Sequence, residues 1–379
     1  MNSAESIHRL DSRARQRGLS LIELMISITI GLMILTGLTT IFVNSSNANR
    51  EQMKGAQQIE NGRFAIESLR QDLQLAGFYG QFSALPGTPA AVPDPCNIAN
   101  EVAHYDALPL GIQLVDGTAT RPSCIAAADH LAGTDILVVR RASTQSVSTG
   151  SATVTGDIYI QANPASAGVQ VGNGSALSNT TTAAGASAVI LRKDGITAAP
   201  IRKYHVLIYY VAPCSAPSGG GAVCTGATDD GGRPIPTLKR LELGANGGAS
   251  AFNVVAMVGG IQNLQVEVGI DDAPVVPPVA GCITPSGGSC PSTVGDGVPD
   301  RYLVCLPAAP CTAADFASAV SAKVYVLARN TEPSAGYIDA KSYVLGSLTA
   351  AVGPYGDAYR RHVYGTEVRL VNMAGRRER

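Results

Sequence analysis

Glu23 is the only charged residue in the run from Leu19 to Val43, LSLIELMISITIGLMILTGLTTIFV. An ionised carboxylate within a membrane-spanning segment costs roughly 2.5–3.5 kcal/mol unless a counter-charge meets it. Two readings follow. Glu23 is an acid close to the membrane edge, reached by water, or it is one half of an ion pair. A second reactive set is the eight cysteines, Cys96, Cys124, Cys214, Cys224, Cys282, Cys290, Cys305 and Cys311. Their clustering favours neighbouring pairs: Cys96–Cys124, Cys214–Cys224, Cys282–Cys290 and Cys305–Cys311. No C-x-x-C pair occurs and no histidine stands at ligand spacing, so structural disulfides are preferred to zinc.

The histidines are His8, His104, His130, His205 and His362. None belongs to H-E-x-x-H, and neither G-x-S-x-G nor a P-loop string is present. A dispersed Ser/His/Asp site assembles in space rather than in sequence. No catalytic residue is assigned, and an anchored periplasmic enzyme is a rival class without a motif to carry it.

The elements that place these residues begin with the apolar run. Its 25 residues make a helix of about 37 Å, enough to cross a bilayer. No A-x-A-like cleavage site follows Val43, which favours an anchor over a removed secretory signal. Arg9, Arg13, Arg15 and Arg17 precede the run, and Asn44-Ser45-Ser46-Asn47 follows it. The positive-inside rule then keeps the amino terminus cytoplasmic and exports the rest. The cysteines, all in the exported part, agree with an oxidising compartment.

No proline interrupts Leu19 to Gly77, so one helix is expected over that span. Ile59, Gly62, Ile66, Leu69, Leu73 and Ala76 recur at steps of three and four and give one apolar face. Arg63, Glu67, Arg70 and Asp72 are expected on other faces, and Gly77 is the stop signal. Strands are expected at Ile136–Arg141, Asp157–Gln161, Ala188–Lys193, Tyr204–Ala212, Leu238–Leu243, Leu264–Ile270, Lys323–Arg329 and His362–Asn372, where Val, Ile and Tyr gather. Ser143–Gly156, Asn173–Ser187, Pro213–Pro236 and Asp272–Pro299 read as loops rich in Gly, Ser, Thr and Pro. The fold class is therefore α+β: a long helix against an antiparallel sheet with long, disulfide-clipped loops.

Composition narrows the function classes. Among 379 residues, 28 Lys and Arg face 29 Asp and Glu, so no global basic field exists to hold nucleic acid. The chain is 45% hydrophobic and 15% charged, too apolar for a disordered protein. It has no tryptophan and 5% aromatic residues, which argues against a base-stacking or aromatic-lined sugar site.

The string Arg17-Gly18-Leu19-Ser20-Leu21-Ile22-Glu23-Leu24-Met25 resembles the class III signal of type IV pilins and type II secretion pseudopilins. The resemblance implies cleavage by a prepilin peptidase after Gly18 and methylation of the new amino terminus at Leu19. That family usually begins its mature chain with Phe, so Leu19 is a departure. Glu23 falls on the glutamate of the fifth mature position, whose carboxylate pairs with the free amine of a neighbouring subunit during assembly.

Further strings resemble the PilW family of minor pilins. They are Asn61-Gly62-Arg63-Phe64-Ala65-Ile66-Glu67, Leu75-Ala76-Gly77-Phe78-Tyr79-Gly80, Gly133 to Arg141, Gly269-Ile270-Asp271, and Tyr359 to Tyr364 with Leu370-Val371-Asn372. In relatives the region of Asp271, Asp272, Asp296 and Asp300 reads as an unbroken aspartate–glycine loop resembling calcium-binding repeats. Here Ala273–Gly295 interrupts it. The four carboxylates suit Ca²⁺ chemically, but a solvated acidic turn is the preferred reading. No other cofactor is implied.

The organisation expected is a leader at 1–18, a transmembrane and assembly segment at 19–43, an amphipathic helical half at 44–77 and a β-rich head at 78–379. The resemblance implies a pilin-like lollipop in which the amphipathic half is the spine of the head. It implies a minor pilin that helps to initiate a type IV pilus or forms its tip, a bulky head being unsuited to a regular shaft. The alternative is a minor pseudopilin of type II secretion. The implied partners are the prepilin peptidase, other minor pilins, the major pilin, the bacterial inner membrane before assembly, and a tip adhesin. The implied location is that membrane and then the extracellular pilus.

Overall fold

The computed structural model describes residue 18 and residues 20–98, 100–117, 121–147, 151–176, 180–181, 187–272, 295–347 and 350–378. It falls into two units, divided between Met53 and Lys54.

Helix α1 (Leu21–Gln74) begins in the first unit. From Leu21 to Ser45 every side chain is exposed, although most are large and apolar. The hydroxyls within this run turn inward on the helix itself. Ser27, Thr36, Thr39 and Thr40 each donate to the carbonyl four residues back, at 2.7–2.9 Å. Thr29 donates to Met25 O and Ile26 O. The helix therefore satisfies its own polar groups, as a segment without water must.

The second unit carries the rest of α1, where the face that is buried differs from the face expected. Gly62, Leu69 and Leu73 are buried, but Ile59 is 51% exposed. Gln58 is covered in its place, its amide donating to Ala328 O and Arg360 O. Asp72, expected on another face, is buried too. It meets Arg141 at 2.9 Å and accepts from the Tyr209 hydroxyl. The helix runs from Leu21 to Gln74 rather than to Gly77, whose φ of 72° turns the chain out of it.

Two antiparallel sheets follow. The first holds β1 (Ile112–Val115), β2 (Ile136–Ala142), β3 (Ile158–Ala162), β4 (Ala167–Val171), the two-residue β5 (Thr180–Thr181) and β6 (Ser187–Ala188), β7 (Ile201–Ala212), β8 (Thr237–Asn246) and β9 (Ala249–Gly259). The second, in the order β11-β10-β12-β13, is made of β10 (Ile261–Ile270), β11 (Arg301–Leu303), β12 (Ala319–Arg329) and β13 (Arg361–Arg369). Short helices α2 (Glu101–Asp106), α3 (Asp229–Gly232), α4 (Ala313–Ala317) and α5 (Val371–Arg377) connect or close them.

β7 is the axis of the first sheet. It pairs with β3 through Ile201–Lys203, with β2 through Tyr204–Tyr209 and with β8 through Leu207–Ala212. Its alternation divides the interior in two. Leu207, Tyr209 and Val211 join a core with Ala65, Leu69, Leu73 and Ala76 of α1 and its end, and with Leu264, Val266, Val324 and Val326 of the second sheet. Tyr204, Val206, Ile208 and Tyr210 face a second core with Tyr79, Phe82, Tyr105, Ile158 and Ile160. Complete burial of a Leu such as Leu69 or Leu73 contributes about 1.5–3 kcal/mol.

Two expected strands end differently. Ala188–Lys193 is strand only at its first residue. Asp194 accepts from the amides of Ile196 and Thr197, and Gly195 has φ 70°, so the chain turns there. The last strand stops at Arg369, and Val371 and Asn372 open α5. Asn372 then donates to the carbonyls of Gln74 and Ala76, open acceptors at the carboxyl end of α1.

Asp135 ties the sheets together. Its amide donates to Leu264 O, and its Oδ2 accepts from Val266 N at 2.8 Å. Burial pushes its carboxyl from an ordinary 3.8 up to about 7. The folded protein thus keeps this proton to a higher pH than the unfolded chain. The stability it contributes is complete at acid pH and is lost as pH rises from about 4 to about 7. The difference in melting temperature between the wild type and D135N, measured by circular dichroism, is expected to fall across that window. A difference constant with pH contradicts this.

Candidate functional site

Gly18 is exposed, and a Cβ built on it meets nothing within 4 Å. Among the described residues no packed side chain stands in the way of a protease there. Leu19 lies outside the described residues. Glu23 stands in the first turn of α1, where a carboxylate also complements the helix dipole. Its side chain is exposed, and no described residue pairs with its carboxylate. The residues nearest in sequence, Leu21, Ile22, Leu24 and Met25, are 49–77% exposed. An acid surrounded by uncovered apolar side chains can receive a counter-charge from outside its own chain.

The disulfides form as the spacing suggested in three cases. Cys96–Cys124, Cys214–Cys224 and Cys305–Cys311 have Cα–Cα distances of 5.4, 5.8 and 4.9 Å. Cys282–Cys290 lies outside the described residues. Asp129 sits against Cys214 and Cys224, a grouping that would offer three metal ligands were the sulfurs free. The sulfurs are bonded to each other, and Asp129 is occupied. It takes Lys239 Nζ at 2.9 Å and the Tyr210 hydroxyl at 2.7 Å, all buried. Sequence reasoning missed this pair. The signal was Lys239 in an otherwise apolar alternation.

The four aspartates considered for Ca²⁺ are drawn into other bonds. Asp271, 1% exposed, accepts from Gly297 N at 2.9 Å and meets Arg377 Nε at 3.1 Å. Asp272 is bonded to Arg301, which holds its carboxyl below the ordinary range. Asp300 accepts from Asp272 N, and Asp296 from Val298 N. Two guanidiniums thus bring the positive charge a cation would supply. Titration calorimetry of the chain with Ca²⁺ is expected to give no binding heat. A saturable heat would restore the calcium reading.

The histidines are dispersed. His104 is buried in α2, and His130 Nε2 lies 2.9 Å from Thr134 O. His205 Nδ1 lies 3.2 Å from Glu242, and His362 stands edge-on to Tyr364. His130 Nε2 also lies 3.3 Å from Thr134 Oγ1, but no described histidine is joined to both a hydroxyl or thiol and a carboxylate as a triad would require.

The strings that carried the family resemblance meet where α1 is seated. Asn61 donates to Gly259 O, and Gly62 lies beneath the Tyr364 ring, where an added Cβ would fall 2.3 Å from Cε2. Gly77 N donates to Arg140 O, and Arg376 donates to Gly77 O. Arg361 is held by Asp339 at 2.7 Å and by Asp357 at 2.5 Å.

Residues 13–39 match the prokaryotic N-terminal methylation motif, a span that contains Gly18, Leu19 and Glu23. Residues 221–372 match the family described as type IV pilus-assembly protein W, and that span contains β8 to β13. No curated protein and no solved structure matches the chain. Residues 221–372 are thus similar to type IV pilus-assembly protein W and residues 13–39 to the prepilin methylation motif, and together the two matches support a type IV pilus-related pilin.

Proposed function

We propose that this protein is a minor pilin that helps to initiate a type IV pilus or stands at its tip. The observation that carries the reading is the exposed apolar run of α1 with one carboxylate, Glu23, inside the matched methylation motif. Before assembly the run is held in the inner membrane, with the arginines of residues 9–17 on the cytoplasmic side and the disulfide-bearing unit exported. Prepilin peptidase cuts after Gly18 and methylates Leu19. The new amine lies at the depth of a neighbouring subunit's carboxylate, and the pair of charges neutralises both within lipid. The work of the chain is assembly rather than catalysis, with other minor pilins and the major pilin as partners. The PilW match favours the pilus over a type II secretion machine. A deletion strain is therefore expected to lose surface pili and to keep protein secretion.

Gly18→Val is expected to leave an uncut precursor in the membrane, seen as a band heavier by the mass of the leader. A product of mature size would contradict the cleavage assignment. Glu23→Ala is expected to be cut normally and yet be strongly depleted from sheared pili. Wild-type amounts in the sheared fraction would remove the charge-pairing role.

A further inference from the structure

The second sheet ends on β13, in the order β11-β10-β12-β13. Asn330 N donates to Arg360 O and Leu370 N to Val320 O, and the register between these two bonds is unbroken. The even-numbered residues of β13 therefore bond to β12, and the odd-numbered ones turn their N–H and C=O groups outward. Among the described residues nothing takes the backbone groups of Val363, Gly365 and Glu367. Open edges are ordinarily blunted by charge or proline, yet Val363-Tyr364-Gly365-Thr366 has neither.

Alongside this edge runs a groove of about 900 Å³, with α1 as its other wall. Ile59, Phe64 and Ile66 line it from the helix, and Tyr364 and Gly365 from β13. Ile59 and Phe64 are 51% and 52% exposed, although Ile59 belongs to the apolar stripe expected to be buried. Glu60 and Arg63 give the rim one charge of each sign, and the Glu67 carboxylate is held by Arg70, so the rim has no net charge.

A partner laid over this face removes water from both features. Apolar side chains from any source fill the groove, but the outward N–H and C=O groups of β13 then need partners of their own. Extended backbone offers donors and acceptors in that alternation, whereas a helix has spent its own internally. We propose that an extended, uncharged segment of a different pilin adds to the second sheet along β13. Every other side chain of that segment enters the groove against Ile59 and Phe64. The occupant is a pilin because the helical wall is α1 itself, the element that the assembly reading sets among other pilins; the proposal rests on that reading.

The test uses the full chain in cells that assemble the pili, with Phe64→p-benzoylphenylalanine as a photo-crosslinker. Irradiation is expected to give an adduct, in membranes and in sheared pili, whose partner peptide maps by mass spectrometry to another pilin outside its amino-terminal helix. Glu367→Pro removes one outward N–H and leaves the bonds to β12, so the adduct should fall about tenfold. Ile59→Asp, at a half-exposed position, puts a charge into the groove and should reduce the adduct too, which keeps the test decisive if E367P fails to fold. An adduct on the amino-terminal helix of another pilin or on a second copy of this chain, an adduct unchanged in the folded variants, or no adduct in either fraction overturns the proposal. A chain cut after Gly18 and present in sheared pili, yet giving no adduct, contradicts the added strand and leaves the assembly reading standing.

Discussion

Water cannot favourably solvate the side chains of α1 from Leu21 to Val43, and the described residues do not cover them. They must be placed in lipid or against like helices, and in either setting Glu23 requires a positive charge. The polar groups that could have complicated this are already settled. The serine and threonine hydroxyls of the run bond to carbonyls one turn back. Glu23 is the one charge left over. In the proposed assembly reading, a free amine at Leu19 would arise only on removal of the leader, and one electrostatic requirement would then link cleavage to assembly.

The later part of α1 answers a different constraint. It is seated by contacts that depend on closeness and on individual polar partners. Gly62 lets the Tyr364 ring approach, Asn61 bonds to Gly259 O, and Asp72 gathers Arg141 and Tyr209. The chain then returns at its carboxyl end to close the helix terminus, through Asn372 and Arg376. The second sheet and the end of α1 thus share one core with the first sheet. Among the described residues three disulfides fasten loops to the cores: Cys305 belongs to this core with Cys311 packed against it, and Cys214 and Cys224 belong to the second core with Cys124 packed against it.

The legible parts of the sequence were those governed by composition and short-range chemistry. The apolar run, the lone acid and three cysteine pairs each follow from residue type and spacing. The strands dense in Val, Ile and Tyr, such as β7 and β12, were visible for the same reason. β9 was hidden because ASAFNVVAMVG has small residues and little alternation, its place being set by pairing with β8 across the Gly247–Gly248 turn. α5 was read as strand because Leu370-Val371-Asn372 is apolar and β-prone, while its helical turn is fixed by distant carbonyls of α1. The buried polar residues escaped for a related reason. Asp72, Asp129, Asp135 and Arg140 look like surface charges locally, and only the partners brought by the fold tell otherwise.

The account centres on a new amine at Leu19 facing Glu23 of another copy or another pilin. Mass spectrometry of the amino terminus of protein recovered from sheared pili tests it most directly. The predicted result is a chain beginning at N-methylated Leu19. Recovery of chains that begin at Met1 from those fibres would contradict the account.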